Sequence, residues 1–135
     1  MGELIKKLTL NNGLVLEVID ESSNYYAEFW NLKVVIRGKV EVKAEYLEDI
    51  IPSGPHELEA KEALGKEVEY YRELTQIGVR EAEAQENIQR LLKYFEENSL
   101  PYLQHPSFPK RMVRKRWQEL AEEIKLRRSR GDEVD

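Results

Sequence analysis

The segment from Trp30 to Lys43 most constrains the fold of this chain, because apolar and polar residues alternate along it with a period of two. A half-buried β-strand has this alternation, whereas a helix would scatter the same residues around its axis. Gly38 falls on the apolar face, where it predicts a bulge or a bend, and Val35 is the exception on the polar face. The apolar face comprises Trp30, Leu32, Val34, Ile36, Val40 and Val42, and the polar face comprises Asn31, Lys33, Arg37, Lys39, Glu41 and Lys43.

A β-hairpin is predicted before this strand. Two alternating segments, residues 4–10 and 14–19, flank the sequence Asn11-Asn12-Gly13. Asn and Gly tolerate the positive φ angles that tight hairpin turns require. The polar residues 20–24 predict a loop, so that residues 4–43 predict three antiparallel strands.

The segment 66–74 fits two kinds of structure. Helical spacing links Leu64, Val68 and Tyr71, whereas strand alternation links Val68 and Tyr70. A continuous helix over residues 57–98 would be unusually long and would contain two glycines. We therefore favour a fourth strand and keep the helix as the alternative.

Two longer helices are predicted in the C-terminal half of the chain. Apolar residues recur at helical spacing within 79–98, and the last helix covers 108–128. A short helix over 57–64 ends before Gly65, and residues 100–109, which hold three prolines and no charge, predict a connector. The predicted fold class is therefore α+β, with an N-terminal antiparallel sheet of three to four strands packed with two longer C-terminal helices.

The length of 135 residues is that of one domain. Residues 1–130 predict a single α+β domain, and residues 131–135 predict a disordered acidic tail. The N-terminus carries no signal-peptide pattern, and no apolar window is long enough to span a membrane. We therefore expect a cytoplasmic protein.

The composition and the motifs argue against several chemistries. The chain has no cysteine, which excludes disulfides, thiolate metal sites and cysteine nucleophiles. It has no GxSxG elbow, no glycine-rich phosphate loop and no HExxH spacing. These observations predict no metal, no cofactor and no catalytic residue, and they favour a non-enzymatic protein.

A basic segment from Lys110 to Arg130 departs from the acidic character of the chain, whose net charge is -5. It holds nine basic and three acidic residues, a net charge of +6, whereas residues 45–99 have six basic and 14 acidic residues, a net charge of -8. On a helical wheel one stripe is apolar and must be buried. Some cations are spaced three or four residues from a glutamate, which predicts partial self-pairing. Contact with a partner or with nucleic acid is predicted at Lys110, Arg111, Arg114, Lys115, Arg116, Arg127, Arg128 and Arg130.

An aromatic cluster at residues 25–30 follows the polar loop. Tyr25, Tyr26 and Phe29 are candidates for a ligand-binding or partner-binding surface, provided that they are exposed together. Packing on the core is the alternative.

The sequence therefore favours a protein-interaction or self-association module, which includes a homo-oligomer. The alternative is a nucleic-acid-binding accessory protein that uses the basic segment 110–130, and a third hypothesis is a small-ligand or carbohydrate binder at Tyr25–Trp30. The predicted partner is a protein, nucleic acid is less favoured, and no membrane is expected.

Overall fold

A computed structural model describes residues 2–48 and 55–130 of the chain. It has the predicted α+β class, with an antiparallel sheet of five strands and long C-terminal helices. The strands are β1 (Glu3–Thr9), β2 (Val15–Asp20), β3 (Ser23–Tyr26), β4 (Phe29–Glu41) and β5 (Glu67–Arg80). The helices are α1 (Pro55–Leu64), α2 (Ala84–Asn98), α3 (Leu100–Leu103) and α4 (Phe108–Ser129).

The long strand β4 organises the sheet. β1 pairs with β2, and β2 pairs with β4 from Leu16 opposite Gly38 to Asp20 opposite Val34. The backbone then continues along the same edge of β4 into β3, because the Glu21 N–H donates to the carbonyl of Lys33 at 2.8 Å. β4 is therefore paired from Phe29 to Gly38 by the chain segment that precedes it.

Strand β5 pairs with β4 as well. At one end of β5 the Glu81 N–H donates to the Glu28 carbonyl at 2.8 Å, and at the other end the Val42 N–H donates to the Lys66 carbonyl at 2.8 Å. These two hydrogen bonds make β5 antiparallel to β4. The predicted fourth strand at 66–74 is thus confirmed, and it continues to Arg80.

The chain divides into two compact units. The first comprises residues 1–39 and 69–108, and its core is formed by the apolar face of the sheet and by one side of α2. Two edge strands hold α2: Lys6 of β1 pairs with Glu96 at 3.1 Å, and the guanidinium of Arg72 of β5 lies 5.6 Å from the Phe95 ring centre. The buried side chains of this core include Leu16, Val18, Leu32, Val34, Ile36, Ile88, Leu92 and Phe95.

The second unit comprises residues 40–68 and 109–135. Its buried apolar residues come mainly from α1 and α4, and the predicted apolar stripe of α4 is buried at Val113, Trp117 and Ile124. The prediction of a single domain over 1–130 stays a prediction. The predicted acidic tail at 131–135 lies outside the described residues.

Several predicted assignments differ from the structure. Ser23 and Asn24 belong to β3 and not to a loop, since they pair with Asn31 and Trp30. The helix predicted from residue 79 begins at Ala84, because Val79 and Arg80 belong to β5 and Glu81–Glu83 form a short 3-10 helix. The connector at 100–109 contains the short helix α3.

That short helix has two local causes. Pro101 lies in its first turn, where the missing N–H of a proline costs nothing. At its end, the Asn12 amide donates to the carbonyls of Leu103, at 2.8 Å, and of His105, at 2.9 Å. A turn residue of the first hairpin thus satisfies carbonyls that a helix end leaves unpaired.

Candidate interaction surfaces

We call the face of the sheet that is turned away from the core the open face. It carries charged side chains that are paired across strands. Glu17 lies opposite Lys7 on one side and opposite Arg37 on the other, and the Arg37 Nε lies 3.3 Å from the Glu17 Oε1. Lys33 lies 3.6 Å from a carboxylate oxygen of Glu21. This face is therefore largely neutralised by its own side chains.

Lys33 also joins a second group of polar side chains on β5. Its Nζ lies 3.3 Å from the Glu73 Oε2, and the Tyr71 hydroxyl donates to the same oxygen at 2.7 Å. These two hydrogen bonds lower the pKa of Glu73. In return, Glu73 raises the pKa of Lys33 and the pKa of Tyr71 through the same bonds.

A row of apolar side chains lies between the charged rows of this face. Leu4 is opposite Ile19, and Ile19 is opposite Val35. Ile19 and Val35 are buried, with Val35 only 1% exposed. The departure of Val35 from the alternation of β4 is thus explained by a buried partner on the face that was predicted to be polar.

A shallow depression of about 580 Å³ lies on the open face. Its lining has three cationic and two anionic side chains. This mixed charge gives no preference for a particular class of ligand. The charged lining residues are Lys7, Glu17, Arg37, Lys39 and Glu69.

The C-terminal end of the basic segment is paired with an acidic residue of its own unit. Arg127 lies 3.7 Å from a carboxylate oxygen of Glu59 on α1, and Arg128 forms an ion pair with the other oxygen. Among the eight predicted contact residues, these two therefore serve to hold α4 to α1. Arg130 is exposed beyond them.

The N-terminal part of the basic segment is less neutralised. Arg116 pairs within its own helix, at 3.4 Å from Glu119 and 3.9 Å from Glu123. Arg114 is half-buried and has an interaction within the molecule.

Arg111 and Lys115 are exposed on successive turns of α4, and neither forms an ion pair with any residue that the structure describes. Lys110 is half-buried at the start of the helix. The structure therefore leaves Arg111 and Lys115 as the accessible cations of this part.

The predicted aromatic cluster lies on a β-hairpin. β3 and β4 are joined by Ala27 and Glu28, and Tyr26 lies opposite Phe29. Ala27 has a φ of 49°, in the left-handed region. The Asn24 amide donates to the Ala27 carbonyl at 2.7 Å and to the Phe29 carbonyl at 3.1 Å, which closes the turn without a glycine.

The end of β5 supports this hairpin from the side. The Gly78 N–H lies 3.4 Å from the Asn31 Oδ1, and the Glu81 N–H donates to the Glu28 carbonyl. The Tyr25 hydroxyl lies 3.9 Å from the position that a Cβ on Gly78 would take. The hairpin is thus tied to the end of β5 by one hydrogen bond between backbones and by one from the Gly78 backbone to the Asn31 side chain.

Three large side chains are exposed at this end of the sheet. Tyr25 is 54% exposed, Tyr26 is 70% exposed and Ile77 of β5 is 79% exposed. We call these three side chains the tyrosine tip. Phe29, which lies opposite Tyr26, is half-buried, so the predicted surface is exposed at Tyr25 and Tyr26 and only partly at Phe29.

Trp30 lies at the base of the same hairpin and is half-buried. Its Nε1–H is shielded from solvent and has no hydrogen-bond partner among the described residues. A shielded donor without an acceptor is destabilising.

Ile77 and Glu59 were not among the predicted site residues. Ile77 lies in a stretch, Thr75–Gly78, that gives no surface signal until β5 is placed beside the hairpin. Glu59 is one of 14 acidic residues in the acidic block 45–99, and only the packing of α1 on α4 selects it.

No helix within the described residues is both long enough and apolar enough to cross a membrane. In the same part of the chain, no three acidic or histidine side chains are grouped as metal ligands would be. The sequence matches no protein-family model, and it has no significant similarity to a curated protein or to a solved structure.

Proposed function

We propose that this protein is a non-enzymatic protein-interaction module whose binding surface is the tyrosine tip. The observation that carries the proposal is the joint exposure of Tyr25, Tyr26 and Ile77 at one end of the sheet. Exposed large apolar side chains that lie close together are typical of protein-binding surfaces, and tyrosine is enriched at the residues that dominate binding energy.

The rigidity of the tip supports the proposal. The hairpin turn is closed by the Asn24 amide and is tied to β5 through the Glu28 carbonyl. A side chain on a fixed backbone loses little conformational entropy on binding. Tyrosine also offers a hydroxyl that can bond to polar groups at the rim of an interface.

The nucleic-acid alternative has less support. Arg127 and Arg128 already bind Glu59, and Arg116 binds two glutamates of α4. Among the predicted contact residues, the accessible cations that remain are Arg111, Lys115 and Arg130. Three cations are few for phosphate binding, which commonly uses six or more contacts. A cytoplasmic location remains a prediction from the sequence.

Site-specific photocrosslinking tests the proposal. A photoreactive amino acid replaces Tyr26 in the full chain, and a second version carries it at Tyr94, which is also exposed but lies on α2. We expect a defined covalent adduct from position 26, identified by mass spectrometry, and no matching adduct from position 94. Equal or absent crosslinking at the two positions would refute the proposal.

A further inference from the structure

The first half of α4 is rich in basic residues. Lys110–Gln118 holds five basic residues and no acidic residue. Arg111 and Lys115 are one helical turn apart, and like charges at that spacing repel each other. Since neither has an ion-pair partner among the described residues, this surface can accept anionic groups from outside the molecule.

The rim of the tyrosine tip has the opposite charge. Glu28, Glu81 and Glu83 are exposed, and they form no ion pair within the described part of the chain. Glu28 and Glu81 are adjacent because their backbones are hydrogen-bonded. Between Gln76 and Gln89 the sequence has three acidic residues and one basic residue, Arg80, so this segment is acidic.

From this complementarity we infer that the tyrosine tip of one copy binds the first half of α4 of a second copy. This inference rests on the proposed function and names the partner. Arg111 and Lys115 would lie against the tyrosine rings, whose π-faces attract cations, with the acidic rim around them. Every copy carries both halves of the contact, so the partner is always present at equal concentration.

The same charges argue against nucleic acid as the occupant of the α4 surface. The chain as a whole has a net charge of -5, which opposes approach to a polyanion. A second copy instead brings acidic groups that are already grouped with aromatic rings. Because the contact joins two different surfaces, it is heterologous, and each assembled pair still has one free tip and one free helix surface.

Two variants separate the halves of the contact. The tip variant carries Tyr26→Ser and Ile77→Ser, and the helix variant carries Arg111→Glu and Lys115→Glu. Acidic residues near a helix N-terminus are favourable, so the helix variant is expected to fold. A control with the same change of charge carries Lys61→Glu and Lys125→Glu, which are exposed residues elsewhere on α1 and α4. Circular dichroism checks that each variant is folded.

Light scattering after size-exclusion chromatography gives the mass of each sample. We expect the wild-type mass to rise with protein concentration and to fall with salt. The apparent dissociation constant should rise by at least about tenfold in either variant and stay unchanged in the control. An equimolar mixture of the two variants should form a complex of two chains, since one supplies an intact helix surface and the other an intact tip.

Several results would overturn the inference. They are a wild-type monomer at every concentration, undiminished association of either variant, and a mixture that stays monomeric. Retention of a short oligonucleotide by the wild type and the tip variant, but not by the helix variant, would assign the α4 surface to nucleic acid instead. If the wild type is monomeric while position 26 crosslinks to another protein, the proposed function stands and only the choice of partner fails.

Discussion

Gly38→Ala is expected to destabilise the protein by about 1–2 kcal/mol. A Cβ at this position would lie 2.7 Å from the Val15 carbonyl oxygen and 2.9 Å from the Leu16 Cδ2. The leucine side chain can rotate away, but the Val15 oxygen belongs to the backbone of β2. One of two paired strands must therefore move to accommodate the methyl group.

Two effects of opposite sign decide the magnitude. Replacing a glycine restricts the unfolded chain, which stabilises the fold by about 0.4–1 kcal/mol when the native backbone is compatible. Forcing an extra carbon into a filled site costs about 1–3 kcal/mol. The second effect wins here because Gly38 is buried and the register between β2 and β4 is regular up to it. The melting temperature should fall by roughly 2–8 °C.

Urea unfolding, followed by the fluorescence of Trp30 and Trp117 and by circular dichroism, measures this loss. Lys39→Ala is the matched control, because Lys39 is the next residue of β4 and is exposed. The control should change stability by no more than about 0.5 kcal/mol. If Gly38→Ala proves as stable as the wild type or more so, the close approach of Val15 does not explain the glycine.

Three further predictions concern the core and the ion pairs. Phe95→Ala should cost about 3–5 kcal/mol in urea unfolding, because the ring is fully buried, whereas Tyr94→Ala on the exposed side of α2 should cost far less. Glu73→Gln should remove stabilisation that is present above the ordinary glutamate pKa, about 4.3, and is lost as the pH falls through the lower pKa of folded Glu73. The variant should also lack the stabilisation that Lys33 gains from Glu73, which the wild type loses at alkaline pH as the pH rises through the raised pKa of Lys33. The free energies of unfolding of the variant and the wild type should therefore converge at both low and high pH. Glu59→Gln should reduce stability by less than about 1 kcal/mol, since its ion pairs with α4 are partly exposed, and a larger loss would mean that they are stronger than surface pairs.

The strands and the long helices could be predicted because their signal lies within a few neighbouring residues. The alternation from Trp30 to Val42 predicts which side chains of β4 face the core, and Leu32, Val34 and Ile36 are buried as expected. The stripe of α4 is predicted in the same way. In each case the period of the pattern equals the period of the backbone.

The hairpin of the tyrosine tip could not be predicted in this way. Its turn is Ala27-Glu28, which lacks the glycine or asparagine that marks most two-residue turns. Asn24 closes it from outside the turn. The extension of β5 to Arg80 likewise depends on hydrogen bonds with residues about 50 positions away. These elements are decided by tertiary pairing, which local spacing does not record.

The ion pairs of the chain divide in the same way, into those that local spacing predicts and those that depend on tertiary pairing. Pairs within a helix, such as Arg116 with Glu119, can be anticipated from their spacing. Pairs between elements, such as Arg128 with Glu59, appear only in the folded chain. Both kinds reduce the charge that is available to a partner, so the net charge of +6 for residues 110–130 overstates what a ligand would encounter.

What remains accessible is decided by which cations form no ion pair with the carboxylates that the structure describes. Arg111 and Lys115 stand in a stretch without acidic residues, on the exposed side of a helix whose other side is buried at Val113 and Trp117. Burial of that side fixes the helix, so the two cations are presented in a defined orientation. Two cations on a fixed helix backbone suit a partner whose acidic and aromatic groups also lie on a fixed backbone, because less conformational entropy is lost when both sides are ordered beforehand. That reasoning predicts that reversing Arg111 and Lys115 should weaken self-association more than an equal change of charge elsewhere on the protein.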